Sequence, residues 1–413
     1  MRLRSLSIAL AVLLPGALRA QPVTVGADRL FSEYTHLVRG KRLALVSNHS
    51  GRLANGVHLA DTLFARRDLT LRVLFGMEYD IRSNDYAARR DAGSTVDSRT
   101  GLPKHNLYGE AHRPTREQLG DAQVIVVDIQ DVGARFYEHV NILAFVLDAA
   151  AEYGQSVVVL DRPNPLSGRM ADGFVADSAA FFRFGSYTAI PALHGMTMGE
   201  LARFYVGERV LAGGRVPRLD VVPMTGWRRT MFYDETGLEW RKPSPNLLTL
   251  SSLLAYAGTC LFESVNVSEG RGSDAPFELI GAPWLDHRAA VALLRAQRLD
   301  GVAFDTVTFV PTRRAFHGRP PELAGEEVRG IRLRVTDRTV ARPYLIGVAM
   351  LWAVHRLHAD RLEWNLPVLD RLTATPRLLT MLRAGRSPAE IADAWSAEVA
   401  QFTQRARPYQ LYD

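Results

Sequence analysis

Carboxylates stand just after apolar runs or inside loops at Glu78, Asp128, Asp131, Asp161, Glu263 and Glu269. Two carboxyl groups flanking a glycosidic bond suffice to hydrolyse it, one of them protonating the departing oxygen. The proton donor must stay protonated, which requires surroundings that disfavour its charged form. Glu78 suits that role, with Phe75, Met77 and Tyr79 beside it in the chain. General acid catalysis of this kind is worth roughly 10²–10⁴-fold. The choice of a second carboxylate is spatial, and spacing along the chain does not make it.

Arginines accompany these acids. Arg135 closes the stretch VIVVDIQDVGARFY (124–137), and Arg271 lies between two glycines in SEGRG (268–272). A guanidinium can grip an anionic ligand through paired hydrogen bonds, and glycines let backbone approach closely. Each group also has a plain alternative. Asp128 and Asp131 could cap the following helix with Arg135 neutralising them. Glu269 and Arg271 could pair as a surface turn of little energetic value. In HGMTMGEL (194–201), Thr197 and Glu200 form a capping box and so need no functional explanation, whereas His194 precedes the cap. PSPN (243–246) is a rigid polar loop that could face the same cleft.

The elements that must position these groups follow from apolar patterning. RLALVSN (42–48), LTLRVLFG (69–76), VIVVDI (124–129) and SVVVLD (156–161) are short apolar runs with little or no polar alternation. Such runs are strands buried on both faces of a sheet. Helical patterns at 57–67 and 138–153 lie between them, which predicts right-handed crossovers and a parallel sheet. In such sheets ligands sit beyond the carboxyl ends of the strands, where Asn48, Glu78, Asp128, Arg162 and Asn164 all fall. Beyond about residue 215 the pattern changes. Strands are expected at 218–224, 302–311 and 328–337, the last with Arg332 and Arg334 on a wet face. Helices are expected at 287–297 and 343–358, with two more near the C-terminus, the last opening on the Ser387–Glu390 capping box. This predicts an α/β domain over 21–215 and a second, α+β domain over 216–413.

Residues 1–20 read as a secretory signal peptide: Arg2 and Arg4, an apolar core over Leu6–Leu14, and small residues before Ala20. Its loss removes Arg2, Arg4 and Arg19 and lowers the formal net charge from +6 to +3. A periplasmic or secreted protein follows, without a membrane span in the mature chain. No basic stripe with interleaved aromatics suggests a nucleic-acid partner. The single cysteine, Cys260, cannot form an internal disulfide and is expected to be a small buried hydrophobe. The chain carries no GxGxxG after its first strand, no Walker A loop, no GxSxG elbow, no HExxH and no cysteine cluster. No cofactor or metal is therefore expected.

Seven stretches in order carry a family resemblance: GKRLALVSNHSG (40–51), SRTGLPKHNLYG (98–109), DIQDVGARFY (128–137), VVVLDRPNPLSG (157–168), HGMTMGEL (194–201), PSPNLLTL (243–250) and GTCLFESVNVSEGRG (258–272). Together they resemble the NamZ-like exo-β-N-acetylmuramidases. The resemblance implies a Rossmann-like N-terminal domain, a smaller C-terminal domain and a site in the cleft between them. It implies release of N-acetylmuramic acid from the non-reducing end of peptidoglycan fragments, with Glu78 as general acid. The lactyl carboxylate of that sugar calls for a cationic clamp, for which Arg135 and Arg271 are the candidates. The family usually reads Pro-Glu-His-Gly at this glutamate, whereas this chain reads Met77-Glu78-Tyr79-Asp80. The change places a charge beside the acid, and Asp80 could itself be the second carboxylate. A catalytically idle wall-fragment binding protein is the alternative. The catalytic candidates are thus Glu78, Asp128 and Glu269. The substrate-binding candidates are Asn48, Asp131, Arg135, Arg162, Asn164, His194, Asn246 and Arg271.

Overall fold

The computed structural model describes residues 22–83, 95–108, 112–177, 187–313 and 321–413. The expected leader lies outside them, as do residues 84–94 of the loop after Glu78. The strands are β1 (Arg42–Ser47), β2 (Thr70–Gly76), β3 (Thr95–Val96), β4 (Pro103–Asn106), β5 (Val124–Asp128), β6 (Ser156–Leu160), β7 (Ala171–Val175), β8 (Pro191–His194), β9 (Leu219–Val222), β10 (Leu279–Ala282), β11 (Val302–Phe309) and β12 (Val328–Val335).

Every residue of β5 is buried, as its unbroken apolar run requires. It lies between β1 and β6 in a seven-stranded sheet of order β3-β4-β2-β1-β5-β6-β9. All neighbours pair in parallel except the short edge strand β3. The six parallel strands thus run in the Rossmann order, whose direction of winding reverses between β1 and β5. Helices His139–Tyr153 and Met198–Gly207 cover one face, and Gly26–Ser32 and Leu59–Ala65 the other. The predicted capping box holds: Glu200 N–H donates to Thr197 Oγ1 at 3.2 Å, and Thr197 N–H to Glu200 Oε2 at 3.0 Å.

One expected boundary moves. Residues 218–224 were expected in the second domain, yet β9 is the outer parallel strand of the first sheet. A short apolar run has the same pattern in either sheet, and only its pairing with β6 decides. The second half is built on the antiparallel sheet β10-β12-β11. Arg332 and Arg334 of β12 point to solvent while Ile331 and Leu333 are buried, as the alternation predicts. Helices Leu250–Thr259 and Pro343–His358 pack so closely that a Cβ on Gly258 would lie 1.9 Å from the Pro343 carbonyl oxygen. Three C-terminal helices follow instead of the expected two: Leu366–Thr373, Arg377–Arg383 and Pro388–Ala406. The last returns to the first half, where Phe402 and Ala406 join the core under the parallel sheet. Its Trp395 donates to Asp172 of the β7–β8 hairpin at 2.9 Å. Among the described residues no helix is long and apolar enough to cross a membrane.

His58 locks the loop after β1. Its Nε2–H donates to Asn48 O at 3.0 Å, and its Nδ1 accepts from Ala60 N–H at 3.2 Å. This pattern needs the neutral ring, because a second ring proton would face the Ala60 donor. Burial pushes the pKa down to about 4. His49, which donates to Lys242 O at 2.9 Å, is lowered to about 4 by the same cause. The unfolded chain takes up these protons near pH 6.5, before the folded one does, so stability falls as pH drops from about 6.5 toward 4. His58→Asn keeps the acceptor at the helix N-cap and should flatten that pH slope in urea unfolding experiments. An unchanged slope would remove His58 from the explanation.

Candidate active site

The polar groups at the sheet's carboxyl edge divide into a frame and a cavity. The frame centres on Asp128, which is fully buried and held by Arg162 through Nε at 2.5 Å and Nη2 at 3.0 Å. Arg162 also donates to Arg52 O at 3.0 Å, tying in the loop after β1. Asn48 donates to Gln130 O, and Gln130 in turn to Pro163 O. Asp131 accepts from Gly133 N–H at 2.8 Å and lies 3.2 Å from His194 Nε2 and 3.5 Å from His139 Nδ1. Burial opposes its charge, but the two histidines hold its carboxyl well below the usual range. Asn164 donates to Met196 O and accepts from Leu166 N–H. Asp161 accepts from Thr197, Gly199 and Tyr412, while burial pushes it up to about 7. None of these residues lines the cavity. Asp128 was expected to be catalytic, and Asn48, Asp131, Arg162, Asn164 and His194 to bind substrate. Instead each satisfies another buried group.

Arg135 is a further correction. It is fully buried, and its Nη2 donates to Leu372 O at 3.2 Å and Thr373 O at 3.0 Å. It therefore satisfies carbonyls at the end of helix Leu366–Thr373 rather than facing a ligand. Burial brings its pKa down to about 10.

The cavity encloses about 360 Å³ between the two halves. From the first half come Glu78 and Tyr79 after β2, Tyr108 after β4, and Phe136, Tyr137 and Glu138 ahead of helix His139–Tyr153. The loop leading to the second half gives Ser244 and Asn246, and the second half itself Tyr256, Glu263, Arg271, Phe277 and Arg371, with Cys260 beside them. The PSPN loop closes one side as expected: Tyr137 donates to Pro243 O at 2.8 Å and Tyr79 to Ser244 Oγ at 3.4 Å. Phe136, Tyr137, Tyr256 and Phe277 pack edge-to-face, with centroids 4.9–6.0 Å apart. Phe75 and Met77 lie instead in the core under the sheet, so the aromatic surroundings of Glu78 are the cavity tyrosines.

Arg271 organises the opposite wall. It pairs with Glu263 at 2.6 Å and with Glu269, and it lies 4.9 Å over the Phe277 ring. Its flanking residues Gly270 and Gly272 both have φ +79°, a conformation that favours glycine. Burial opposes the charge on Glu263, but Arg271 and then Arg371 outweigh it and keep that carboxyl below its ordinary range. Glu269 does not line the cavity; the carboxylate expected to be catalytic is engaged by Arg271. Asp80 is likewise engaged, by Lys104 and by Arg82 N–H at 2.7 Å. Cys260 is buried, as expected, and burial and Glu263 push its thiol far up.

Residues 43–251 match the family described as exo-beta-N-acetylmuramidase NamZ, N-terminal, and residues 254–412 match its C-terminal counterpart. The chain belongs to the NamZ exo-β-N-acetylmuramidase family. The peptidoglycan beta-N-acetylmuramidase NamZ of Bacillus subtilis (strain 168) is 34% identical over 391 residues, covering 94% of this chain and 91% of that one. Two crystal structures of DUF1343 family proteins from Bacteroides fragilis NCTC 9343 share the architecture at TM-scores of 0.86 and 0.74. Each is 28% identical and covers 95% of this chain and 99% of its own. The NamZ family's two parts meet near residue 252, consistent with β9 belonging to the first sheet.

Of the sequence candidates, the structure brings Glu78, Asn246 and Arg271 together at the cavity. Glu138, Tyr108, Tyr256 and Arg371 were missed. Glu138 follows a marked motif and could have been flagged by its place at a helix start. Arg371 lies in an ordinary amphipathic helix with no local signal. Asp128→Asn leaves the Arg162 charge buried without its carboxylate. The expected cost is roughly 3–5 kcal/mol of stability, measured by urea unfolding. A loss under about 1 kcal/mol would show that the pair is not a framework element.

Proposed function

We propose that this chain is an exo-acting glycosidase that removes N-acetylmuramic acid from the non-reducing end of peptidoglycan fragments. The observation that carries the reading is the polarity of the cavity. Glu78 and Glu138 line it from the first half, and Arg271 and Arg371, with Glu263 paired to Arg271, from the second. A muramic acid residue has matching polarity, with a glycosidic bond to protonate at one end and a lactyl carboxylate elsewhere on the ring. About 360 Å³ is near the small end of ligand pockets, which suits one terminal sugar better than the interior of a glycan. The aromatic cluster offers faces for the sugar's C–H surface, and Asn246 a polar contact. The leader at residues 1–20 supports export to the periplasm or beyond, where such fragments occur.

Glu78 is the proton donor in this reading. Arg371, reinforced by Arg271, receives the lactyl carboxylate. Arg271 also holds Glu263 and Glu269. A charge-assisted hydrogen bond of this type is worth roughly 1.5–3 kcal/mol.

Release of N-acetylmuramic acid from a chromogenic muramide tests the activity. A folded wild-type protein that binds fragments without turning them over would replace the enzyme with a binding protein. Glu78→Gln should lower kcat on natural fragments by roughly 10²-fold or more, with an unchanged Tm. Arg371→Met should raise KM about tenfold or more, in line with the energy of the lost contact, while changing kcat less. Equal effects on muramic and unsubstituted glucosaminyl substrates would remove the carboxylate from the explanation.

A further inference from the structure

We propose that Glu138 is the second catalytic carboxylate, the base that activates the attacking water; this rests on the glycosidase reading above. Three glutamates line the cavity, Glu78, Glu138 and Glu263. Glu263 is paired with Arg271 at 2.6 Å, and Glu78 is the donor in the reading above. Glu138 lines the cavity from the first half, as Glu78 does. Both carboxylates lie close enough to Tyr137 that their charges add to burial in pushing its phenol up. That phenol therefore stays protonated and donates to Pro243 O, which leaves the base role to a carboxylate.

The backbone at Glu138 is an independent sign. Its φ is +76° with ψ −22°, a left-handed conformation that disfavours a glutamate and suits glycine. It also holds the N-cap position of helix His139–Tyr153, yet its side chain makes no cap hydrogen bond. Neither the backbone nor the cap explains a glutamate here. Strained residues of this kind cluster at functional sites, where surrounding structure holds them. The partial positive charge at the start of a 15-residue helix favours a negative side chain, as a base requires. Glu78 follows a strand and has no such support, so the two environments separate acid from base.

The loops bearing these groups leave β2 and β5, the two neighbours of β1, whose axes are about 10 Å apart. A carboxylate that activates water rather than attacking the sugar implies inversion at the anomeric carbon. Glu138 takes a proton from water as the water oxygen bonds to C1. The C1–O bond to the leaving sugar breaks, its electron pair stays on that oxygen, and Glu78 supplies the proton. Solvent then removes the proton from Glu138 and restores the one on Glu78.

The test uses the full-length protein with a 2,4-dinitrophenyl muramide and a natural disaccharide fragment. Glu78→Gln should retain activity on the activated aryl substrate, whose leaving group needs no acid. Glu138→Gln should lose roughly 10²-fold or more on both, recover with azide, and NMR of the wild-type reaction should show the α-anomer first. Glu138→Gly relieves the left-handed backbone, so it should match or exceed the wild-type Tm while losing activity; a merely structural glutamate would show the reverse. Glu138→Gln activity within a few-fold of wild type, or a β-anomer formed first, overturns this inference and leaves the glycosidase reading intact. A wild-type protein that releases no sugar overturns both.

Discussion

The buried pair between Asp128 and Arg162 is the constraint on which the carboxyl edge of the sheet depends. Two charges removed from water are tolerable only if each is matched, and here the match is bidentate. The same guanidinium reaches Arg52 O, and Asn48 and Gln130 extend the bonding to the loops after β5 and β6. The ends of β1, β5 and β6 are thus held in one geometry where the winding reverses. This rigidity lets the flanking loops, which carry Glu78 and Glu138, present their carboxylates to a cavity.

The opposite wall follows the same rule with the signs arranged differently. Arg271 is largely buried and satisfies Glu263 and Glu269 together, which leaves one negative charge among the three. Arg371 adds a second cation from helix Leu366–Thr373, whose terminal carbonyls are anchored by Arg135. Arg135 therefore shapes the site by supporting the segment that bears Arg371. The result is a cleft with Glu78 and Glu138 on one half and Arg271, Arg371 and the paired Glu263 on the other, and it exists only while the two halves are packed together.

Much of the fold was legible before any coordinates. Apolar runs at β1, β2, β5 and β6, the helices between them, and the boxes at Thr197 and Ser387 are set by local sterics and hydrogen bonding. The wet face of β12 followed from its alternation. The β7–β8 hairpin and β10 lie outside the sequence expectations, because Asp172 and Gly173 interrupt β7, Pro191 opens β8 and Gly281 interrupts β10, so none of them reads as an apolar run. β9 was assigned to the wrong half because its pattern does not name its partner. Among the acids, the environment argument for Glu78 selected a residue that does line the cavity, together with Tyr79, Tyr108 and Tyr137, whereas Phe75 and Met77 lie in the core.

The sequence by itself determined the parallel sheet, the edge at which function would gather and the family. Each of these depends on short-range pattern or on motifs preserved in order. Only the tertiary structure decided which polar residues at that edge face a ligand and which face one another. Asp128, Arg162, Asp131 and His194 have the same composition and placement in the chain as site residues. Burial makes them partners, because a charge withdrawn from water must find its match in space. Arg135 and Arg371 make the point most directly: the arginine inside the motif supports the backbone, and the one outside any motif reaches the cavity.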